Sequence, residues 1–220
     1  MHHAPIAPPI EQTIPTATAR QYYDFWGSHY DWFGFLESRA KHRLLDLLEL
    51  SPGMKLLNVG LGTGLEHREL IARLGCARDA VGLDISRRML LSAKARTGAP
   101  LCQADGCALP FANASFDRLY AAYVLDLVPA GDLLAWLSAF RRILRPGGKL
   151  VLGCLTEGVT QASRSLVSIW KLVYHISPLT CGGCRPLQLD GLVEESGFRI
   201  LHSEVIVQLG MPSQLVCAIN

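Results

Sequence analysis

The stretch Leu56-Leu57-Asn58-Val59-Gly60-Leu61-Gly62-Thr63-Gly64 reads as an apolar strand running into alternate glycines and then into a helix-forming segment. Glycine accepts positive φ and lets a ligand approach the backbone closely. The helix that follows offers free N–H groups and the positive end of its dipole. This is a nucleotide-type cradle at the carboxyl end of a strand, where open α/β sheets bind ligands. The spacing is G-x-G-x-G. Leu65 stands where a dinucleotide fingerprint needs its third glycine, and no lysine follows to make a P-loop. Asp84 closes the next strand, 20 residues after Gly64, where a carboxylate accepts both hydroxyls of a ribose. Asp105-Gly106 follows the third strand, and an acid there can accept a hydrogen bond from an exocyclic amine such as adenine N6.

Alternating elements must hold these residues. Residues 37–50 are helical by period, with Leu36, Ala40, Leu44, Leu47 and Leu48 on one face. Strands are expected at 54–59, 80–83, 101–104, 116–123 and 149–155, and helices at 65–74, 87–96 and 132–144. Ser86 is a good N-cap for the second of these helices, and Arg145-Pro146-Gly147-Gly148 should stop the third. Repeated β-α units imply a parallel sheet covered by helices. The rhythm then changes: a long aromatic helix over 159–176, a loop over 178–186 and a helix over 187–196. Two strands follow at 198–207 and 214–219, separated by a turn with Gly210 and Pro212, which suits an antiparallel hairpin.

The chain has 220 residues, half of them hydrophobic and 18% charged, with a net charge of +2. Length and balance fit one compact domain. No basic stripe is present, so nucleic acid is not an expected partner. The apolar run 119–125 stops at Asp126, far short of the roughly 20 residues of a membrane span. Pro5, Pro8, Pro9 and Pro15 fill a start that lacks a secretion signal, and residues 1–20 read as a flexible arm ahead of a single domain over 21–220. The seven cysteines, 76, 102, 107, 154, 181, 184 and 217, are odd in number and read as reduced thiols of a cytoplasmic protein. Cys181-x-x-Cys184 has no second pair at ligand spacing and lies in a loop, so neither a metal nor a redox role is expected of it.

Five motifs carry a resemblance: Gly60-Leu61-Gly62-Thr63-Gly64, Val81-Gly82-Leu83-Asp84, Ala104-Asp105-Gly106-Cys107-Ala108-Leu109-Pro110-Phe111, Phe116-Asp117-Arg118-Leu119-Tyr120 and Leu144-Arg145-Pro146-Gly147-Gly148. In this order they resemble the class I S-adenosylmethionine-dependent methyltransferases, most nearly the ubiquinone/menaquinone methyltransferase-like group. Tyr22-Tyr23-Asp24 and His29-Tyr30-Asp31 resemble that group's N-terminal Tyr-Asp repeat, so the likeness covers about residues 22–219. It implies an α/β, Rossmann-like, doubly wound seven-stranded sheet, mostly parallel with an antiparallel terminal hairpin. It also implies S-adenosyl-L-methionine as cofactor. Gly60, Gly62 and Gly64 would approach the methionine part, Asp84 would hold the ribose, and Asp105 with Gly106 would reach the adenine. Ile85 or Met89 would flank the adenine ring, Ala121 would line the path to the sulfonium, and Tyr30 would close over the cofactor. Asn58 stands where the family usually has an acid. It keeps hydrogen-bonding capacity and loses a charge beside the cofactor's ammonium, a change on the scale of about 1 kcal/mol.

The reaction so implied is an in-line methyl transfer in which alignment alone can supply roughly 7–11 kcal/mol, so a strong base is not obligatory. The candidates for one are Tyr123, Asp126 and His175, with His175 preferred by its ordinary pKa. A cap over residues 157–186, rich in Val, Ile, Leu, Trp and Tyr, would make the acceptor pocket hydrophobic. For Trp170, Tyr174 and His175 the competing reading is a buried helix face, and for Tyr23 and Tyr30 it is core packing. Cys184-Arg185-Pro186 resembles a family loop ending, with Arg185 an acceptor contact or a loop anchor. A quinol-like ring methylated on carbon is the first acceptor class. The alternatives are an amine or phospholipid head group methylated on nitrogen, or a catalytically silent cofactor-binding regulator, for which only Asn58 speaks. Peripheral membrane contact stays open. Leu65 and the terminal hairpin argue against a nicotinamide-dependent dehydrogenase.

Overall fold

The computed structural model of the chain describes residues 13–26 and 34–220. Seven strands form one sheet in the order β3-β2-β1-β4-β5-β7-β6. Strands β1 (Leu56–Val59), β2 (Ala80–Asp84), β3 (Leu101–Gln103), β4 (Phe116–Ala122) and β5 (Leu144–Leu155) run parallel. Strand β7 (Met211–Ile219) lies antiparallel between β5 and β6 (Arg199–Gln208). The chain leaves β1 toward β2 on one side and later returns to β4 on the other, which opens a crevice at the carboxyl ends of β1 and β4.

Burial on both faces explains the apolar run of β1. Leu56 packs with Leu44 and Leu48 beside helix α2 (Ser38–Leu47) and with Leu70 and Leu74 of α3 (Leu65–Leu74). Leu57 and Val59 point the other way, into the core with Leu137, Phe140 and Ile143 of α5 (Leu133–Ile143). Helix α4 (Arg87–Thr97) starts at Ser86, whose Oγ accepts the Met89 N–H at 3.1 Å, as its sequence position suggests.

Several boundaries differ from the sequence expectation. Helix α5 ends at Ile143, and the Arg145–Gly148 stretch is a bulge inside β5 rather than a turn outside the sheet. Phe116 pairs with Leu144 and Arg118 with Lys149, so the intervening residues step out of the ladder. The hairpin turn is Leu209-Gly210, with φ of 51° and 85°, while Pro212 pairs with Val207 inside β7. The helix expected over 187–196 shortens to α7 (Asp190–Glu195), because the Leu187 N–H bonds the Leu155 carbonyl and holds that stretch extended. Helix α1 (Thr16–Trp26) begins within the stretch read as an arm, and Ile14 before it is buried against Gly183; residues 1–12 lie outside the described residues. Among the described residues no helix is long and apolar enough to cross a membrane.

Candidate functional site

A cavity of about 530 Å³ opens at the carboxyl ends of the parallel strands, within the usual range for small-molecule pockets. The glycine turn is pinned against β2, since the Gly60 and Leu61 N–H groups both donate to the Leu83 carbonyl. A Cβ at Gly60, where φ is +67°, would fall 2.8 Å from Val124 Cγ2, so only glycine fits that turn. Asp84 ends β2 beside it. Its Oδ2 accepts the Gly62 N–H at 2.9 Å and its Oδ1 accepts the Ser86 N–H at 2.8 Å. Each oxygen keeps a lone pair for a further donor. Burial pushes the Asp84 carboxyl up to about 6, against the opposing pull of these N–H bonds. Ile85 and Met89 line the same space, as do Asp105 and Gly106. Asp105 Oδ1 accepts the Cys107 N–H at 3.1 Å. Trp136 of α5 packs so closely on Gly106 that a Cβ there would fall 2.2 Å from its ring.

Asn58, also on the cavity wall, is 1% exposed. Its Nδ2 donates to His67 Nδ1 at 3.3 Å, and its Oδ1 is a buried acceptor without a partner among the described residues. Such an atom is costly unless a ligand or water satisfies it. The expected residues Asn58, Gly60, Gly62, Asp84, Ile85, Met89, Asp105 and Gly106 thus meet on one cavity.

Other expected site residues do not reach it. Gly64 is spent on helix packing: its φ is +84°, and a Cβ would meet Ala93 of α4 at 3.0 Å. Ala121 faces the core with Leu57 and Leu152, because side chains alternate along β4, and it is Ala122 that reaches the cavity. Asp126 is fully buried behind the wall. Its Oδ2 accepts the Leu155 N–H at 3.4 Å, and burial raises its carboxyl to about 7. The Arg185 guanidinium, also buried, donates to the Val128 carbonyl at 2.6 Å and acts there as a loop anchor. His175 is exposed on α6 (Gln161–Ile176), and no residue from 157 to 186 lines the cavity. That segment instead packs on itself and on α1: Trp170 Nε1 donates to the Cys184 carbonyl at 2.9 Å, Lys171 pairs with Glu157 at 2.6 Å, and Tyr23 Oη donates to the Gly182 carbonyl at 3.0 Å. Tyr30 lies outside the described residues.

The cover comes from the N-terminal side: Tyr23 of α1, Phe35, and Glu37, Ser38, Lys41 and His42 at the start of α2. Lys41 Nζ lies 3.1 Å from Glu37 Oε2 and 3.0 Å from Glu66 Oε1, and 5.6 Å above the centre of the Tyr123 ring. Tyr123 does line the cavity, at a strained φ of +55°. Its hydroxyl is 2.7 Å from Ser213 Oγ, and burial drives its pKa well above the ordinary value. Asp24, in the Tyr-Asp motif, accepts from Ser86 Oγ at 2.6 Å and from the Arg88 N–H at 3.2 Å, docking α1 on the start of α4. The sequence gives no sign of Glu37 and Lys41 at a site, because an i, i+4 Glu–Lys pair reads as a solvated helix face.

Residues 57–152 match the methyltransferase domain family. The chain is 32% identical over 173 residues to an O-methyltransferase of Pyrenophora dematioidea, covering 74% of this chain and 61% of that protein. It is 36% identical over 136 residues to a demethylmenaquinone methyltransferase of Corynebacterium urealyticum, covering 59% of this chain and 56% of the relative. The chain thus spans less than two thirds of the length of these curated relatives. The N-methyltransferase NodS of Bradyrhizobium japonicum, solved with S-adenosyl-L-homocysteine, shares the fold, with a TM-score of 0.71 at 17% identity over 92% of this chain and 98% of that one. The residues present fit the family's cofactor: Asp84 has lone pairs free for ribose hydroxyls, and the orphaned Asn58 oxygen suits an ammonium donor. Residues 57–152 are thus similar to a methyltransferase domain, and the chain shares its fold with a solved methyltransferase.

Proposed function

We propose that the chain transfers the methyl group of S-adenosylmethionine to a small hydroxyl-bearing acceptor, a quinol-like ring first, seated between α1, α2 and the end of β4. The observation that carries this reading is the Glu37–Lys41–Glu66 cluster on the same cavity as Asp84 and Asn58. The cofactor supplies an electrophilic methyl on a sulfonium. The chain's own tasks are alignment, exclusion of water and removal of the acceptor's proton. Asp84 holds the ribose hydroxyls, Asp105 takes the adenine amine, and Ile85 and Met89 flank the ring. Glu37 replaces His175 as the base. Burial raises its carboxyl, the direction that suits a proton acceptor working near neutrality. Lys41, beside Glu37, steadies the acceptor oxygen as its proton leaves. Two of the relatives, an O-methyltransferase and a demethylmenaquinone methyltransferase, agree by name with an oxygen- or ring-directed transfer.

A second reading has one observation in its favour: two carboxylates against one ammonium leave the cluster with a net negative charge, which suits a protonated amine. Release of S-adenosylhomocysteine from S-adenosylmethionine, followed over 1,4-naphthohydroquinone, catechol and a set of primary amines, separates the two. Turnover on the hydroxyl acceptors is expected. Glu37→Gln should lower it at least tenfold, with affinity for S-adenosylhomocysteine within twofold of wild type. Turnover confined to amines would transfer the chain to the second reading, and cofactor binding without any turnover would make it a binding protein.

A further inference from the structure

Asn58 and His67 are both buried, and their hydrogen bond joins β1 to the first turn of α3 across the glycine turn. An amide has one donor end and one acceptor end. With Nδ2 committed to His67, the Asn58 oxygen must face the other way, and it is that oxygen which has no partner among the described residues. The register of β1 against β2 and β4 fixes the Asn58 backbone two residues before Gly60, so only rotation of the side chain is left to decide which end points where. His67 decides it.

We propose that His67 is the positioning residue of the subsite for the cofactor's amino-acid tail: by accepting the Asn58 amide N–H it presents the Asn58 carbonyl oxygen as that subsite's free, uncharged acceptor. The proposal rests on the S-adenosylmethionine reading given above. The ring must be neutral with its proton on Nε2, since Nδ1 accepts the amide N–H only when bare. Burial meets the requirement of neutrality by lowering the His67 pKa to about 4. His67 itself is absent from the cavity wall, so it acts through Asn58 alone.

Two ligands separate this role from general damage. S-adenosylhomocysteine carries the amino-acid tail, and methylthioadenosine has the same adenosine and sulfur without it. Calorimetric titration of the wild type should register both. His67→Leu should weaken S-adenosylhomocysteine about three- to tenfold and leave methylthioadenosine within twofold. His67→Gln, whose Oε1 can take over the Asn58 N–H, should restore affinity to within twofold of wild type. Asn58→Ala with His67→Leu should bind no more weakly than Asn58→Ala alone. Unchanged affinity in His67→Leu, equal losses for both ligands, or additive losses in the double variant would each overturn the proposal. Failure of the wild type to bind either ligand would overturn the cofactor reading itself, a result distinct from the others.

Discussion

At Asp84 a buried carboxylate takes a backbone N–H on each oxygen and turns its remaining lone pairs to the cavity. Asp84→Ala removes every one of these acceptors. It should weaken S-adenosylhomocysteine binding by about 1.5–3 kcal/mol, the scale of a hydrogen bond to a charged group, as read by calorimetry. The same burial has a consequence for stability. Asp84, raised to about 6, and Asp126, raised to about 7, hold protons in the folded state that ordinary carboxyls near 3.8 have released in the unfolded chain. Between pH 4 and 7 the folded state therefore binds more protons, and these two groups make the apoprotein less stable as pH rises. Melting curves from pH 5 to 8 should show this contribution, and the part due to Asp126 should vanish in Asp126→Asn. Ligand-induced stabilisation should run the other way and grow as Asp84 ionises above about pH 6, because the ionised carboxylate is the better acceptor for ribose hydroxyls.

Among the elements, the start of α4 joins the cofactor side of the site to its cover. Ser86 is at once the N-cap of α4, a backbone donor to Asp84 and a hydroxyl donor to Asp24 of α1. Ser86→Ala keeps the backbone donor and loses the other two bonds. It should cost about 1–2 kcal/mol in denaturant unfolding, at the upper end of N-cap losses. Strand β5 shows a similar coupling. A Cβ at Gly153 would fall 2.4 Å from Leu44 Cδ1, so this glycine lets α2 lie close on the sheet and sets how deep Glu37 and Lys41 stand over the cavity.

In the whole molecule, the carboxyl ends of the sheet line one half of the cavity and the N-terminal helices line the other half. Helix α1 is held at two points: Asp24 on α4, and Tyr23 on the loop carrying Gly182. The 157–186 segment thus reaches the site only indirectly, by holding α1 from behind. Asp24→Ala should raise hydrogen exchange in α1 at least tenfold while β1 and β4 keep their protection. Equal exposure of α1 and the central strands would show that α1 belongs to the global unfolding unit and is no separate cover.

The residues legible in the sequence were those whose positions follow from short spacing along the chain. Strand, turn and helix are consecutive around Gly60, so Asn58, Gly60 and Gly62 had to meet at one strand end. Asp84 and Asp105 close the next two parallel strands, and a parallel sheet brings such ends into a row. Spacing could not say which surface covers that row. The Glu37–Lys41 pair matches a solvated helix face, and α6 matches a pocket wall, because amphipathic patterns record that a face is buried without recording against what. Long-range packing decided both: Gly153 lets α2 in close, and Gly182 and Gly183 take α1 and Ile14 onto the C-terminal segment. Tertiary structure also chose between neighbouring residues on β4, sending Ala121 into the core and Ala122 to the cavity, since a strand's two faces are equivalent until something packs on one of them.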